Sequence, residues 1–140
     1  MSFTGNFSCN TLRSGLANAS INLTTDTFYL ALYTNDATLD ETTTAYTATG
    51  ESSGGNYIAG GKIVTATVSS EVTSSGSVVY VSFTSPAWTG AITSRGALIY
   101  KAGANGAICV LDFGNDKTST STFTVTMPAN TSTSALIRIV

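Results

Sequence analysis

The sequence contains no histidine and few charged residues, and both shortages limit the chemistry open to it. Without histidine, neither a Ser-His-Asp nor a Cys-His catalytic arrangement can form, and zinc sites that need a histidine ligand are excluded. Charged residues make up 10% of the chain, and the formal net charge is -2. Since so neutral a surface releases few phosphate counterions on binding, we expect no nucleic-acid partner.

Cysteines and long apolar runs are also scarce. Cys9 and Cys109 lie far apart in the sequence and form no CxxC pair, so we expect two buried free thiols rather than a bridge. No run of about 18 apolar residues occurs, and residues 1–6 lack the basic and apolar segments of a signal peptide. We therefore expect a protein made in the cytoplasm, with no membrane partner.

Serine and threonine are abundant, at roughly three residues in ten, a share well above ordinary usage. The hydrophobic fraction of 42% is enough for an ordered core, and 140 residues predict one domain over 1–140, with 1–7 as an extended N-terminal arm. Because hydroxyl groups are cheaper to bury than ions, this surface favours a protein that packs against neighbours.

Seven segments have the composition of strands and are bounded by Gly, Asn, Asp or Ser clusters, which predicts an all-β fold. We expect a single antiparallel β-sandwich, jelly-roll-like, with one short N-terminal helix and a long loop after the first strand. The first strand has apolar residues on both faces and should be central. The predicted strands are Thr27–Thr34, Gly61–Ser69, Ser77–Thr84, Gly96–Lys101, Ala107–Phe113, Thr122–Met127 and Ala135–Val140.

The helix is predicted over 9–18, with Ser8 as its N-cap and Leu12 and Leu16 on one face. Gly15 should weaken it by about 1 kcal/mol. The Asn105-Gly106 pair predicts a tight hairpin turn between the fourth and fifth strands, because both residues tolerate positive φ angles. Residues 70–76 are a second turn candidate, although Val72 could extend the preceding strand.

The stretch 35–60 reads as a loop, and structureless loops beyond about 15 residues usually serve a function. It is therefore the best candidate for a functional surface. The glycine-rich segment 54–61 lacks the Gly-Lys-Ser/Thr ending of a phosphate-binding loop. We expect its glycines to let the chain turn sharply into a strand.

The triplet 112–114 reads Asp-Phe-Gly, as in the magnesium-binding segment of protein kinases, but the other kinase motifs are missing. We predict that Phe113 closes a strand, that Gly114–Asp116 form a turn, and that 117–121 are a solvated connection.

Several acidic residues could be grouped into catalytic pairs or calcium sites. Each lies beside turn residues, where acidic side chains usually cap backbone amides or face solvent. We therefore predict neither catalysis nor a metal site. The pairs considered for acid–base chemistry are Asp112 with Asp116 and Asp40 with Glu51. The sets considered for calcium are Asp36, Asp40 and Glu41, and Asp112, Asn115 and Asp116.

Three aromatic residues lie at or near loops. Trp88, Tyr46 and Tyr57 either offer sugar-stacking surfaces, as in a carbohydrate-binding module, or pack the loop and close the end of the sandwich.

Five ordered phrases, together with SCNTLRSGL at 8–16, resemble a family of small structural proteins of tailed bacteriophages. The resemblance covers almost the whole chain and implies a non-enzymatic β-sandwich present in many copies. Within that family the chain is similar to capsid decoration, or cement, proteins. The phrases are FYLALYTNDATLDETTTAYTATGE (28–51), GGNYIAGGKIV (54–64), AWTGAITSRGALIYKAG (87–103), AICVLDFGNDKTSTSTFTVTMPA (107–129) and ALIRIV (135–140).

The resemblance implies a location on the capsid surface, with the major capsid protein and further copies of the chain, as a trimer, for partners. It implies no cofactor. We expect the N-terminal arm and the 35–60 loop to make the contacts, through Phe3, Phe7, Tyr46, Glu51, Tyr57 and Trp88. Three alternatives stay open: a tail, baseplate or neck component, a glycan-binding adhesin module, and an enzyme.

Overall fold

A computed structural model of the chain describes residues 3–139, and within that range it consists of one short helix and ten strands that all pair antiparallel. The prediction of an all-β antiparallel sandwich with one N-terminal helix is confirmed. The elements are β1 (Phe7–Ser8), α1 (Asn10–Ala17), β2 (Phe28–Tyr33), β3 (Lys62–Val64), β4 (Ala66–Thr73), β5 (Gly76–Phe83), β6 (Ala87–Thr89), β7 (Thr93–Lys101), β8 (Ala107–Thr118), β9 (Thr122–Thr124) and β10 (Ile137–Ile139).

The strands form three sheets. The largest has the order β1-β8-β7-β2-β3, the second β10-β5-β4, and the smallest pairs β6 with β9. β2 lies between β7 and β3, so the prediction that the first long strand is internal is confirmed.

The five-stranded sheet carries apolar side chains on both faces. Alternate residues of β2 point to opposite sides, so Leu30 and Leu32 enter one buried cluster while Ala31 and Tyr33 enter another. The first cluster joins the two larger sheets, with the rings of Phe28 and Phe83 edge to face at 5.8 Å. The second cluster lies on the outer face, beneath the N-terminal segment and part of the loop 35–60.

The strand predicted over Gly61–Ser69 is in fact two strands in different sheets. β3 pairs with β2, and after Thr65 the chain continues as β4, which pairs with β5. Thr65 and Thr84 exchange hydrogen bonds at the crossing, where the amide of Thr84 donates to the carbonyl of Thr65 at 3.0 Å. The prediction was wrong because a run of β-branched residues has the same sequence pattern whether it forms one strand or two successive strands in different sheets.

The Asp-Phe-Gly triplet does not end a strand, so the predicted turn over Gly114–Asp116 was wrong. β8 continues to Thr118 and pairs again with β7, but the register shifts so that 113–116 bulge out of the ladder. Gly114 has φ +88° within this bulge. The turn-forming residues therefore bend the strand without ending it.

The helix lies where it was predicted, but its N-cap is Cys9 and no side chain caps it. Ser8 belongs to β1, and its hydroxyl accepts a hydrogen bond from Arg13 at 2.7 Å. Gly15 allows close packing, since a Cβ there would lie 2.5 Å from the side chain of Ile21. The glycine that weakens the isolated helix is thus required where the helix docks.

Both hairpins differ little from prediction. Asn105 has φ +58° in the turn between β7 and β8, as its sequence predicts. β4 extends through Val72 to Thr73, so the turn to β5 comprises only Ser74 and Ser75. The strands β1 and β6 were not predicted, because two or three residues carry no readable alternation.

Candidate contact surface

The loop 35–60 contains no strand of its own, as predicted, and it packs against the end of β2. The amide of Thr34 donates to the carbonyl of Gly50 at 2.8 Å, and the amide of Ser52 donates to that of Leu32 at 2.9 Å. Ala37 and Leu39 are buried in the outer cluster. The first part of the loop is therefore a cover for the sheet.

Glu51 anchors the second part of the loop. One carboxylate oxygen accepts the hydroxyl of Tyr46 at 2.6 Å, and the other accepts the hydroxyl of Tyr57 at 2.6 Å and the amide of Gly60 at 2.7 Å. The Tyr57 oxygen in turn accepts the amide of Leu32 at 2.9 Å. Hydrogen bonds to an ionised carboxylate are stronger than neutral ones, so these three donors hold the loop on the sheet.

Tyrosine rings stack beside this carboxylate. Tyr100 lies between Tyr46, at 4.9 Å between ring centroids, and Tyr29, at 5.6 Å. Burial, followed by the interactions with Glu51, raises the pKa of Tyr46 to about 12, and burial followed by the charge of Glu51 raises the pKa of Tyr100 to about 12. The phenols stay protonated at neutral pH, so they act as hydrogen-bond donors and not as bases.

The glycines at the end of the loop turn the chain into β3, as predicted. Gly60 and Gly61 have φ of +96° and +81°, and the hydroxyl of Tyr100 donates to the carbonyl of Gly60 at 2.6 Å. A Cβ on Gly61 would lie 1.8 Å from the carbonyl oxygen of Leu30, so only glycine fits there.

Trp88 is buried and cannot offer its ring to a sugar. It is 1% exposed, its ring lies 5.4 Å from that of Tyr57, and the ammonium of Lys62 lies 5.5 Å from its centroid. Of the two roles predicted for Trp88, packing within the fold is the one that its burial supports.

The predicted N-terminal arm is packed onto the domain from residue 3 onwards, and Met1 and Ser2 lie outside the described residues. Phe3 is 1% exposed and lies under the guanidinium of Arg95, at 5.5 Å. Phe7 is half-buried in β1. In this chain Phe3 and Trp88 are therefore core residues, while Phe7, Tyr46, Glu51 and Tyr57 remain partly exposed.

Three of the acidic residues considered for catalysis or calcium, Asp40, Glu51 and Asp112, are bonded within the chain. Asp112 forms a largely buried ion pair with Arg95; burial raises the pKa of Asp112, but the Arg95 partner and the amide of Gly114 lower it more. Asp40 accepts two hydrogen bonds from Thr42, which lower its pKa. Among residues 3–139 no three Cys, Asp or Glu side chains group to hold a metal ion.

The two cysteines are free and buried, as predicted. Burial is the main cause that raises the pKa of Cys9 to about 11, and burial also raises the pKa of Cys109. Since the thiolate is the reactive form, neither side chain is an activated nucleophile.

An exposed apolar surface contains none of the predicted contact residues, and we call it the hairpin patch. The register places its side chains on the face of the three-stranded sheet that carries Val81 and Phe83 into the core. It comprises Val68 (40% exposed), Val72 (85%), Val79 (37%) and Ile139 (46%).

The sequence signal for the hairpin patch was weak but present. Val68 and Val72 have the same parity in β4, so they share one face of the strand. The sequence of β4 alone does not show that other parts of the chain leave this face uncovered.

No family model, curated protein or solved structure matches this chain. Between residues 3 and 139, no helix has the length and apolar character needed to span a membrane.

Proposed function

We propose that this chain is a non-enzymatic structural protein of a tailed-phage virion, a decoration protein that binds the outside of the DNA-filled head and bridges major capsid subunits. The observation that carries the proposal is the hairpin patch, on a domain with few charges and many hydroxyl groups. Contiguous apolar surface on a soluble domain marks a site for another protein. The resemblance to phage structural proteins implies two such proteins, the major capsid protein and a further copy of this chain.

The state of the polar residues supports a structural role. Asp112, Asp40 and Glu51 each accept hydrogen bonds from groups of the same chain, and the phenols that contact Glu51 are protonated at neutral pH. A general acid or base needs a group that can exchange a proton with a substrate. Hydrogen bonds within the chain therefore hold the three carboxylates in place, which fits a role in the fold.

A decoration protein would stabilise the head by covering the seams between shell subunits. An interface of about 1,000 Å² at each seam is enough for specific binding. Attachment at two or three subunits then strengthens the whole shell beyond any single contact.

The test is binding to heads purified from a phage that lacks this coding sequence. We expect the recombinant chain to saturate these heads at a copy number that matches the local symmetry positions, and to raise their melting temperature. Copies per head are measured by native mass spectrometry or quantitative gel analysis. Absence of binding to heads, or binding to isolated tails instead, would overturn the proposal, and tail binding would establish the tail alternative.

A matched pair of variants locates the contact. Val72→Lys places a charge in the hairpin patch, and Ile58→Lys makes the same type of change at a side chain that is 75% exposed in the loop. We expect Val72→Lys to lower head occupancy and Ile58→Lys to leave it unchanged. Equal occupancy for both variants would remove the hairpin patch as support.

A further inference from the structure

Most edge strands of the three sheets are short, within the residues that the structure describes. β1, β3, β6, β9 and β10 have only two or three residues each, and β3 and β10 carry Lys62 and Arg138. β4 is also an edge strand, but it has eight residues and no proline or lysine. Long edges without such protection pair with other strands.

The outward backbone groups of β4 belong to uncharged residues. Thr65 and Thr84 form a hydrogen-bonded pair, and in an antiparallel ladder such pairs alternate. The groups directed towards β5 therefore belong to Thr67, Ser69 and Glu71, while those directed away from it belong to the residues between them. The outward residues are Ala66, Val68, Ser70 and Val72.

We propose that the β4 edge pairs with the β4 edge of a second copy of this chain, antiparallel about a two-fold axis through Ser70. In this register Val68 of each copy lies opposite Val72 of the other, so the two hairpin patches join on one face. Glu71 lies opposite Ser69 of the other copy, so the two carboxylates are not paired. The strand is thus complementary to itself in both side-chain volume and charge.

The geometry also explains why the hairpin extends beyond its own core. In the antiparallel pair, the tip of each hairpin lies beside the base of the partner's β4, where Ala66 pairs with Phe83. Val72, the most exposed apolar side chain of the hairpin patch, is then next to the partner's domain. A two-fold pairing predicts a dimer, in contrast to the trimer that the resemblance to decoration proteins implies.

The inference deepens the proposed function: of the two partners that the resemblance implies, it assigns the second copy of the chain to the hairpin patch. Its test is made in solution without heads, so each proposal can fail while the other holds. Sedimentation equilibrium on the full chain should show a reversible dimer of about twice 14.4 kDa. An edge contact belongs to the small interface class, below about 1,200 Å², so we expect micromolar or weaker dissociation constants. A monomer at millimolar concentration, or a trimer, would overturn the inference.

Two variants test the edge itself. Ser70→Pro removes an outward amide without removing a β4–β5 hydrogen bond, and Val72→Lys puts a charge beside the partner. We expect each to weaken dimerisation at least about tenfold, since two symmetric contacts are lost at once. Ile58→Lys is the control and should dimerise like the native chain. Native dimerisation by Val72→Lys would show that another surface is used, and this variant decides the question even if Ser70→Pro fails to fold.

Cross-linking tests the register. Residues that face each other in a hydrogen-bonded pair have Cα atoms about 5.5 Å apart, within disulfide range. We expect Ser70→Cys to form a disulfide dimer under mild oxidation, while Ser69→Cys does not. Cross-linking of Ser69→Cys alone would overturn the proposed register. The native cysteines are buried and should not compete.

Discussion

The two larger sheets of this domain differ in how far they are covered. The five-stranded sheet has packed side chains on both faces, the outer one beneath the N-terminal segment and the loop 35–60. The three-stranded sheet is covered near Val81, but the same face continues into the exposed hairpin patch. Valines of one face are thus buried in the core near Val81 and exposed to solvent in the hairpin patch. The covering layer, and not the residue type, decides their role.

The largest effect should come from removing Trp88, the largest of the fully buried side chains. Trp88→Ala leaves a cavity between Tyr57 and Lys62, and we expect it to lower the free energy of unfolding by about 3–5 kcal/mol. Denaturant unfolding followed by fluorescence of the tyrosines and circular dichroism measures this change. A loss below about 1 kcal/mol would mean that the tryptophan is not packed as described.

The difference between the covered and exposed parts of the three-stranded sheet is tested most directly by making the same Val→Ala substitution in each part. Val81→Ala in the covered part should cost about 2 kcal/mol, because it removes buried methyl groups. Val72→Ala in the hairpin patch should change the stability of the monomer by less than about 0.5 kcal/mol. Equal losses at dilute concentration would contradict the difference between the two regions.

The carboxylate of Glu51 should matter for the loop more than for the sheets. Glu51→Gln keeps the size of the side chain but loses the charge and leaves one of the three donors without an acceptor. We expect a loss of about 1–2 kcal/mol and faster hydrogen exchange of amides in 35–60.

The control for the loop is Glu71→Gln, which makes the same chemical change on the exposed strand β4. It should alter neither the stability of the monomer nor exchange in the loop. If both variants behave alike, the hydrogen bonds of Glu51 do not hold the loop.

The smallest effect concerns high pH. The pKa of Tyr46 is about 12 in the folded chain and 10.0 in its ordinary state, so the unfolded chain ionises first as pH rises. The contribution of this group to stability is complete below about pH 10 and is lost towards pH 12. We expect unfolding to become easier over that window, and Tyr46→Phe to make the decline shallower. Denaturant midpoints measured from pH 8 to 12 test this, and an identical decline in both proteins would contradict it.

Several features could be predicted because they depend on neighbouring residues. The alternation of β2, the position of the helix and the turn at Asn105 all follow from local patterns. The free thiols follow from the lack of a cysteine framework. The bulge at 113–116 was mistaken for a turn because glycine permits both, and only pairing with β7 keeps the strand going.

The candidate contact residues were predicted less well. The sequence places Phe3 and Trp88 near segment ends, where exposure is expected, yet both are core residues because distant segments pack onto them. Glu51 lies in the loop 35–60, but its contacts with Tyr46 and Tyr57 could not be predicted, because they need a loop that folds back on itself.

By itself, the sequence determined the class of the fold, the extent of the long loop and the absence of histidine chemistry, since composition and short-range periodicity carry that information. Only the tertiary structure decided that the chain changes sheets at Thr65, that Phe3 is buried, and that β4 is a long edge strand of its sheet. The physical reason is that burial and edge exposure depend on which distant strands pair and which faces they cover. Residues of the same type therefore become core or contact surface according to their partners.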